Sequence, residues 1–327
     1  MTKLELVCPA GTPAALRVAV DSGADAVYMG FRDETNARNF PGLNFSVPEL
    51  DEALDYAHGR GVKVLLAVNT YAAAGNADPW IKAVDTAARL KVDAIILADI
   101  GLLDYARATH PDLRLHLSVQ ASASNARAIN HYVREFGVRR VVLPRVLTVP
   151  EIRRLNQNID VETEVFAFGG MCPMAEGRCS LSSYITGKSP NMNGVCSPAS
   201  HVSYIQQGDN LKTNLADFTI NKFGPHERAG YPTLCKGRFT TNDTTGYLFE
   251  EPTSLNVTGI LPDLIDAGVS ALKIEGRQRS KAYVREVVQN FRQAIDAAVR
   301  GERRAIPMDN LSEGGQDTTG AYNRKWM

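Results

Sequence analysis

The sequence predicts an α/β fold, a (β/α)8 TIM-like barrel with a cysteine-bearing insertion between strands seven and eight. Two observations carry this prediction. First, short apolar runs alternate with amphipathic segments along most of the chain. Second, the alternation is interrupted between residues 170 and 254 by a segment rich in Gly, Ser, Asn, Thr and Pro. Strands that alternate with helices are typical of parallel β/α units, and eight such units favour a barrel.

The predicted strands are short runs of Val, Ile, Leu or Phe bounded by Gly, Pro, Asp or Asn. Strands that are buried on both faces of a parallel sheet have this composition. The runs cover residues 4–8, 24–30, 62–69, 92–99, 113–119, 139–144, 161–169 and 269–276.

The predicted helices carry start and stop signals. Ser46 and Thr148 are typical N-caps, each followed by a proline and then a glutamate, and glycines close several of the segments. The helical segments are 14–23, 46–61, 78–90, 124–137, 148–157, 254–268 and 280–301.

The domain prediction follows from these elements. Residues 1–169 and 255–305 form the barrel, and residues 306–327 form a polar, flexible tail. Residues 170–254 form the insertion on the C-terminal face, because loops that follow strands lie on that face. An open doubly wound sheet is the alternative, and it is disfavoured because no G-x-G-x-x-G motif follows the first strand.

Composition limits the classes of partner. Lys and Arg together number 36, as do Asp and Glu, so the formal net charge is zero. Without a global basic field, we expect no nucleic-acid partner. The first residues lack the apolar core of a secretory signal, and no apolar run is long enough to span a membrane, so we expect a cytoplasmic protein.

Four of the five cysteines point to a metal or iron–sulfur centre. Cys172, Cys179, Cys196 and Cys235 lie among prolines and glycines, whereas Cys8 ends an apolar strand and is expected to be an ordinary core residue. The spacing leaves zinc open as the bound metal, although the paired C-x2–4-C ligands usual for structural zinc are missing. If all four thiolates bound one four-iron cluster, no iron would remain open to substrate.

Polar residues at the predicted strand ends form a candidate site at the barrel mouth. A cavity ringed by Arg38, Arg145 and Arg277 suits an anionic substrate, because arginine binds carboxylates in a bidentate manner. Glu275 is a candidate acid or base. His116, within the fifth strand, is the fifth candidate catalytic residue.

Each of these residues also has a structural interpretation. In that interpretation Asp99 caps the following helix, and Glu275 pairs with Arg277 or Lys273. The sequence carries no G-x-S-x-G motif or ordered Ser/His/Asp set that would indicate a hydrolase.

Residues 164–182, EVFAFGGMCPMAEGRCSLS, carry a more specific motif. They resemble the signature of the collagenase-like peptidase family (U-32), E-x-F-x-x-G-(S/A)-hydrophobic-C-x4-G-x-C-x-hydrophobic-S. One departure is Gly170, where the pattern has Ser or Ala. The matching residues are Glu164, Phe166, Gly169, Met171, Cys172, Gly177, Cys179, Leu181 and Ser182.

The resemblance extends over nearly the whole chain, through the opening segment, NARNF and KIEGR, and is strongest to the branch of the family that acts in oxygen-independent ubiquinone biosynthesis. It implies a [4Fe-4S] cluster on Cys172, Cys179, Cys196 and Cys235. It also implies a heterodimer with a paralogous cluster-bearing chain that hydroxylates the aromatic ring of ubiquinone precursors, with prephenate as oxygen donor. Other relatives hydroxylate RNA bases. A peptidase, as the family name suggests, and a non-catalytic cluster-bearing scaffold are the alternatives.

Overall fold

The structure, a computed structural model, describes residues 4–172, 174, 179–190 and 195–324. Its centre is a barrel of parallel strands, each of which overlaps its predicted run. The barrel strands are β1 (Glu5–Pro9), β2 (Ala26–Met29), β3 (Lys63–Val68), β4 (Ala94–Leu97), β5 (Leu115–Leu117), β6 (Arg140–Val142), β7 (Glu162–Gly170) and β14 (Ala271–Ile274).

The barrel closes where β14 pairs with both β1 and β7. Glu5 lies opposite Ala271 on one side of β14, and Glu164 lies opposite Ala271 on the other. The remaining strands pair with their sequence neighbours in parallel, from β1 to β7. The predicted (β/α)8 barrel is therefore confirmed, and the residues that follow each strand meet at one mouth.

Helices connect the barrel strands. Ser46 and Thr148 form the predicted capping boxes with Glu49 and Glu151, in which each glutamate accepts a hydrogen bond from the N-cap backbone. The helices are α1 (Pro13–Asp21), α2 (Val47–His58), α3 (Asp78–Leu90), α4 (Ile100–Thr109), α5 (Ala126–Phe136), α6 (Val149–Asn156), α7 (Ser180–Thr186), α8 (Leu261–Asp266) and α9 (Lys281–Val299). None of the helices in these described ranges is long and apolar enough to cross a membrane.

The segment 254–268 differs from its predicted single helix. It begins as strand β13 (Ser254–Asn256), antiparallel to β7, and becomes helical only in a 3-10 turn and α8. Asn256 explains the break, because its side-chain oxygen accepts hydrogen bonds from the backbone and hydroxyl of Thr258. Such local side-chain bonds compete with helix formation.

The segment between β7 and β13 contains α7 and two small antiparallel sheets. One sheet has three strands, β8 (Val202–Gln207), β9 (Asn210–Leu215) and β10 (Phe218–Phe223). The other is the hairpin of β11 (Arg238–Thr241) and β12 (Thr244–Tyr247). Because the segment starts where β7 ends, it lies beside the mouth.

Residues 306–324, here called the C-terminal strap, differ from the predicted flexible tail because they pack on the barrel. Strand β15 (Asp317–Thr318) pairs in parallel with β13. Tyr322 is buried, and its hydroxyl donates a hydrogen bond to the backbone oxygen of Phe166 at 2.7 Å. A few apolar residues in a polar stretch, Met308 among them, are sufficient to anchor it.

Candidate active site

Glu275 follows β14 at the mouth and accepts hydrogen bonds from two arginines. Its Oε2 lies 2.5 Å from Nη2 of Arg145, and its Oε1 lies 3.4 Å from Nη2 of Arg38. Burial raises the pKa of Glu275, but the two guanidinium groups more than offset it and the pKa is lowered overall. Glu275 is therefore a carboxylate at neutral pH: it has no proton to donate, and the two guanidinium groups that lower its pKa also make it a weak base.

Arg145 is fixed between this carboxylate and an aromatic ring. Its guanidinium carbon lies 3.5 Å from the centroid of the Phe166 ring, which belongs to β7. The side chain is almost completely buried. A guanidinium held by a carboxylate on one side and a ring face on another has little freedom to reorient.

Arg277 is a buried cation whose hydrogen-bond partner is neutral. Its Nη1 donates to Oδ1 of Asn36 at 2.8 Å, and Asn36 in turn donates to the backbone oxygen of Phe31. Burial lowers the pKa of Arg277 to about 10, so the group remains charged at neutral pH. Within the described ranges, no carboxylate forms an ion pair with Arg277. It lies 5.5 Å from the Tyr28 ring centroid.

The four predicted ligand cysteines are all free thiols. Cys172 follows β7, and Cys179 is the N-cap residue of α7, with its Sγ 3.5 Å from Oγ of Ser182. Cys235 lies in a 3-10 turn (Leu234–Lys236) that packs against α7. Cys196 lies between α7 and β8.

The charges of these thiols act on one another. Burial raises the pKa of Cys235 to about 11, and the charges of Cys172 and Cys196 add to the effect. The pKa of Cys196 is also raised, by the protein atoms around its thiol and by the charge of Cys179, although the residue is exposed at the surface. Four unbridged thiols suit an iron–sulfur cluster or zinc by their chemistry. In the part of the chain that the structure describes, however, no three His, Cys, Asp or Glu side chains stand in a metal-binding arrangement.

The charges of both Glu275 and Cys196 act on Arg38. Burial lowers its pKa, whereas the charges of Glu275 and then Cys196 raise it, and the balance is a raised pKa. Its backbone N–H is held by Oδ1 of Asn36, the same atom that accepts from Arg277. One amide oxygen thus organises two of the three mouth arginines.

His116 is separate from this group. Its Nε2 accepts a hydrogen bond from Nε of Arg114 at 3.1 Å. Burial, followed by the nearby charge of Arg140, lowers its pKa well below the usual value, so the ring is neutral. The structure places His116 inside the barrel among the charged groups near the strand starts, and none of its hydrogen bonds to described residues reaches the mouth arginines.

A buried ionic network inside the barrel was not predicted. Glu164 is fully buried; it accepts from Lys273 at 2.5 Å and from Arg140 at 3.2 Å. Arg140 also contacts Glu5 and Glu162. The sequence signal for this network is the presence of charged residues within otherwise apolar strand runs. This network also decides the pairing of Lys273, which binds Glu164 and not Glu275. Asp99, in turn, caps α4, in agreement with its structural interpretation.

The signature glycine Gly169 allows Glu275 to reach its place. Its φ is +132°, and a Cβ there would lie 2.7 Å from the Cβ of Glu275. A larger residue would therefore displace the carboxylate that holds Arg38 and Arg145. Another signature residue, Gly177, lies outside the described residues.

A cavity of about 310 Å³ lies on the opposite face of the barrel. Its basic lining includes Arg107 and Arg139, but it lies at the carboxyl ends of α4 and α5. The negative ends of the two helix dipoles attract these arginines and oppose an anionic ligand. The mouth is therefore the candidate active site.

The fold and the mouth define a class, a (β/α)8 barrel with a cysteine-bearing segment beside its candidate active site. The sequence pattern of Peptidase family U32 matches residues 11–326, and the chain belongs to this family.

Similar proteins carry different names. The tRNA hydroxylation protein P1 of Bacillus subtilis is 32% identical over 298 residues, which cover 90% of this chain and 64% of that protein. The 23S rRNA 5-hydroxycytidine C2501 synthase of Escherichia coli is 29% identical, with 91% of this chain and 40% of that protein covered. A collagenase of Porphyromonas gingivalis is 28% identical, with 91% and 66% covered. The chain thus spans at most about two thirds of the length of these relatives.

Proposed function

We propose that this chain is the iron–sulfur subunit of an oxygen-independent hydroxylase that acts on the aromatic ring of ubiquinone precursors. In this proposal the oxygen donor is prephenate, a dicarboxylate, and the chain works as a heterodimer with a UbiV-like paralogue, as UbiU does. The names of the relatives support hydroxylation as the reaction class.

The observation that carries the proposal is the buried charge of Arg277. A buried cation whose hydrogen-bond partner is a neutral amide is costly, and a carboxylate from a ligand would relieve that cost. Arg38, half-exposed beside it, offers a second contact for a carboxylate. Two cations near one another at the mouth fit a dicarboxylate better than a neutral ring.

The remaining residues then have separate tasks. Cys172, Cys179, Cys196 and Cys235 would hold a [4Fe-4S] cluster, which supplies one-electron transfer when bound. Arg145 holds Glu275 in place as a carboxylate, and Glu275 in turn fixes the guanidinium groups of Arg145 and Arg38 at the mouth. Arg38 forms an ion pair with Glu275, and the charge of Cys196 also acts on it.

Binding of prephenate tests the ligand site. Arg277→Ala removes a charge-assisted contact of about 1.5–3 kcal/mol, so affinity should fall by about tenfold to more than a hundredfold. Arg300→Ala is the control, because Arg300 is exposed and pairs with Glu302. Turnover by the heterodimer should fall in Arg277→Ala and Arg38→Ala while the cluster stays bound. Unchanged binding and turnover in both variants would show that the oxygen donor does not bind at the mouth.

Iron and acid-labile sulfide, measured on protein purified without oxygen, test the cofactor. About four of each per chain are expected, with a visible absorbance that bleaches on reduction. Alanine at any of the four cysteines should abolish both, whereas Cys8→Ala should keep them, because Cys8 is fully buried in β1. Zinc without sulfide would make the four thiols a structural clamp and contradict the redox role.

The names of the relatives also favour two other substrates. Hydroxylation of an RNA base is the second candidate, because two of the relatives are named for RNA modification. Peptide cleavage is the third, because another is named a collagenase. Each is tested by giving the cluster-loaded heterodimer the corresponding substrate, tRNA or gelatin. Product from either one, with none from the ubiquinone precursor, would replace the proposal.

A further inference from the structure

The Glu313 carboxylate joins three segments of the chain. Its Oε2 accepts a hydrogen bond from Nζ of Lys236, in the turn that carries Cys235. Its Oε1 accepts from Nη2 of Arg279, after β14, at 3.1 Å. Its backbone N–H donates to Oγ of Ser254 at the start of β13, at 2.9 Å. The C-terminal strap is thereby tied to the cysteine-bearing segment and to the barrel at one residue.

Gly170 lies directly beneath this carboxylate. A Cβ at position 170 would lie 2.7 Å from Oε1 of Glu313, which is closer than a carbon and an oxygen can approach. Position 170 is the place where the sequence departs from the family signature, which has Ser or Ala there. The Glu313 carboxylate occupies the space that a Cβ at position 170 would take and, as the end of a flexible side chain, would have to move aside for it.

The backbone of the strap reinforces the contact. Strand β15 pairs with β13, and β13 pairs with the end of β7, where Ser254 lies opposite Gly170. Cys172 follows this strand end, and Cys235 precedes Lys236. The Glu313 carboxylate therefore lies against the chain beside two of the four predicted ligands, at Gly170 near Cys172 and at Lys236 next to Cys235.

From these contacts we infer that Glu313 is a positioning residue that fixes the position of Cys172 relative to Cys235. That these thiols are ligands rests on the proposed function, whereas the position of Glu313 beside Lys236 and Gly170 does not. An ion pair that is fully exposed on the surface contributes little to stability. Lys236 and Glu313 are instead largely shielded from solvent, with side-chain exposures of 13% and 28%.

A mutant cycle between positions 170 and 313 tests the inference. In the wild-type background, Gly170→Ala must displace Glu313, and iron loss to a chelator should become about fivefold faster. Glu313→Ala should have a similar effect, because the tie to Lys236 is gone. In the Glu313→Ala background, alanine at position 170 should add less than about twofold, since the obstructing carboxylate is absent. Glu302→Ala, an exposed partner of Arg300, is the matched control and should change nothing.

A second readout does not depend on any cluster. Hydrogen exchange in the metal-free chain should accelerate at residues 234–236 and 254–256 in Gly170→Ala and in Glu313→Ala, but not in Glu302→Ala. Equal effects of Gly170→Ala in both backgrounds, or no change from Glu313→Ala in either readout, would overturn the inference. If wild-type protein held no iron, the proposed cofactor would fail, and the exchange cycle alone would decide the role of Glu313.

Discussion

Glu164 makes a strong prediction about stability, because it is a charge enclosed by the barrel. It is fully buried and accepts from Lys273 at 2.5 Å and from Arg140 at 3.2 Å. Glu164→Gln keeps the shape of the side chain but leaves the buried Lys273 ammonium without its counter-charge. Arg140 retains Glu5 and Glu162.

The size of the effect follows from this pairing. Removal of one partner of a buried ion pair costs about 3–5 kcal/mol. For a chain of this size, about 2 °C of melting temperature per kcal/mol is expected, so the melting temperature should fall by about 6–10 °C. Replacing the pair together, in Glu164→Leu/Lys273→Met, should recover part of the loss, because no unpaired charge remains at position 273.

Thermal unfolding followed by circular dichroism measures these changes, with Glu135→Gln as the control. Glu135 pairs with Arg134 on the surface and should lose at most about 1 kcal/mol. The reasoning would be refuted if Glu164→Gln melted within about 2 °C of the wild type. It would also be refuted if Glu164→Leu/Lys273→Met lost as much stability as Glu164→Leu and Lys273→Met, each measured alone, added together.

Two further predictions concern acid stability and the site. Burial raises the pKa of Glu5, but Arg140 and Lys63 lower it overall from 4.5, so its stabilising contribution is present above pH 4.5 and is lost as the pH falls through the lower folded-state value. The melting temperature should therefore decline below pH 4.5, and Glu5→Gln should decline less steeply; parallel profiles would contradict this assignment. Gly169→Ala places a Cβ 2.7 Å from that of Glu275 at a φ of +132°, which should cost about 1–3 kcal/mol and weaken prephenate binding, as calorimetry can measure. Unchanged affinity in a folded Gly169→Ala protein would show that Glu275 does not support the ligand site.

The sequence by itself determined the elements of this protein. Apolar runs of strand length, the N-cap serine and threonine, and the capping-box glutamates predicted the strands of the barrel and most of its helices. These signals are local, since burial on both faces and capping depend on residues only a few positions apart. The same reasoning placed Glu275 and the three arginines at the mouth, because the strand ends of a parallel barrel share one face.

The tertiary structure decided which of these groups meet. Glu275 binds Arg38 and Arg145, while Arg277 binds Asn36, and His116 lies in the barrel interior away from them. Closure of β14 between β1 and β7 sets these pairings. Contacts between residues far apart in the chain depend on the register of that closure, which periodicity does not encode. The C-terminal strap shows the same limit, because its polar composition hides the few buried residues and the single carboxylate that hold it on the barrel.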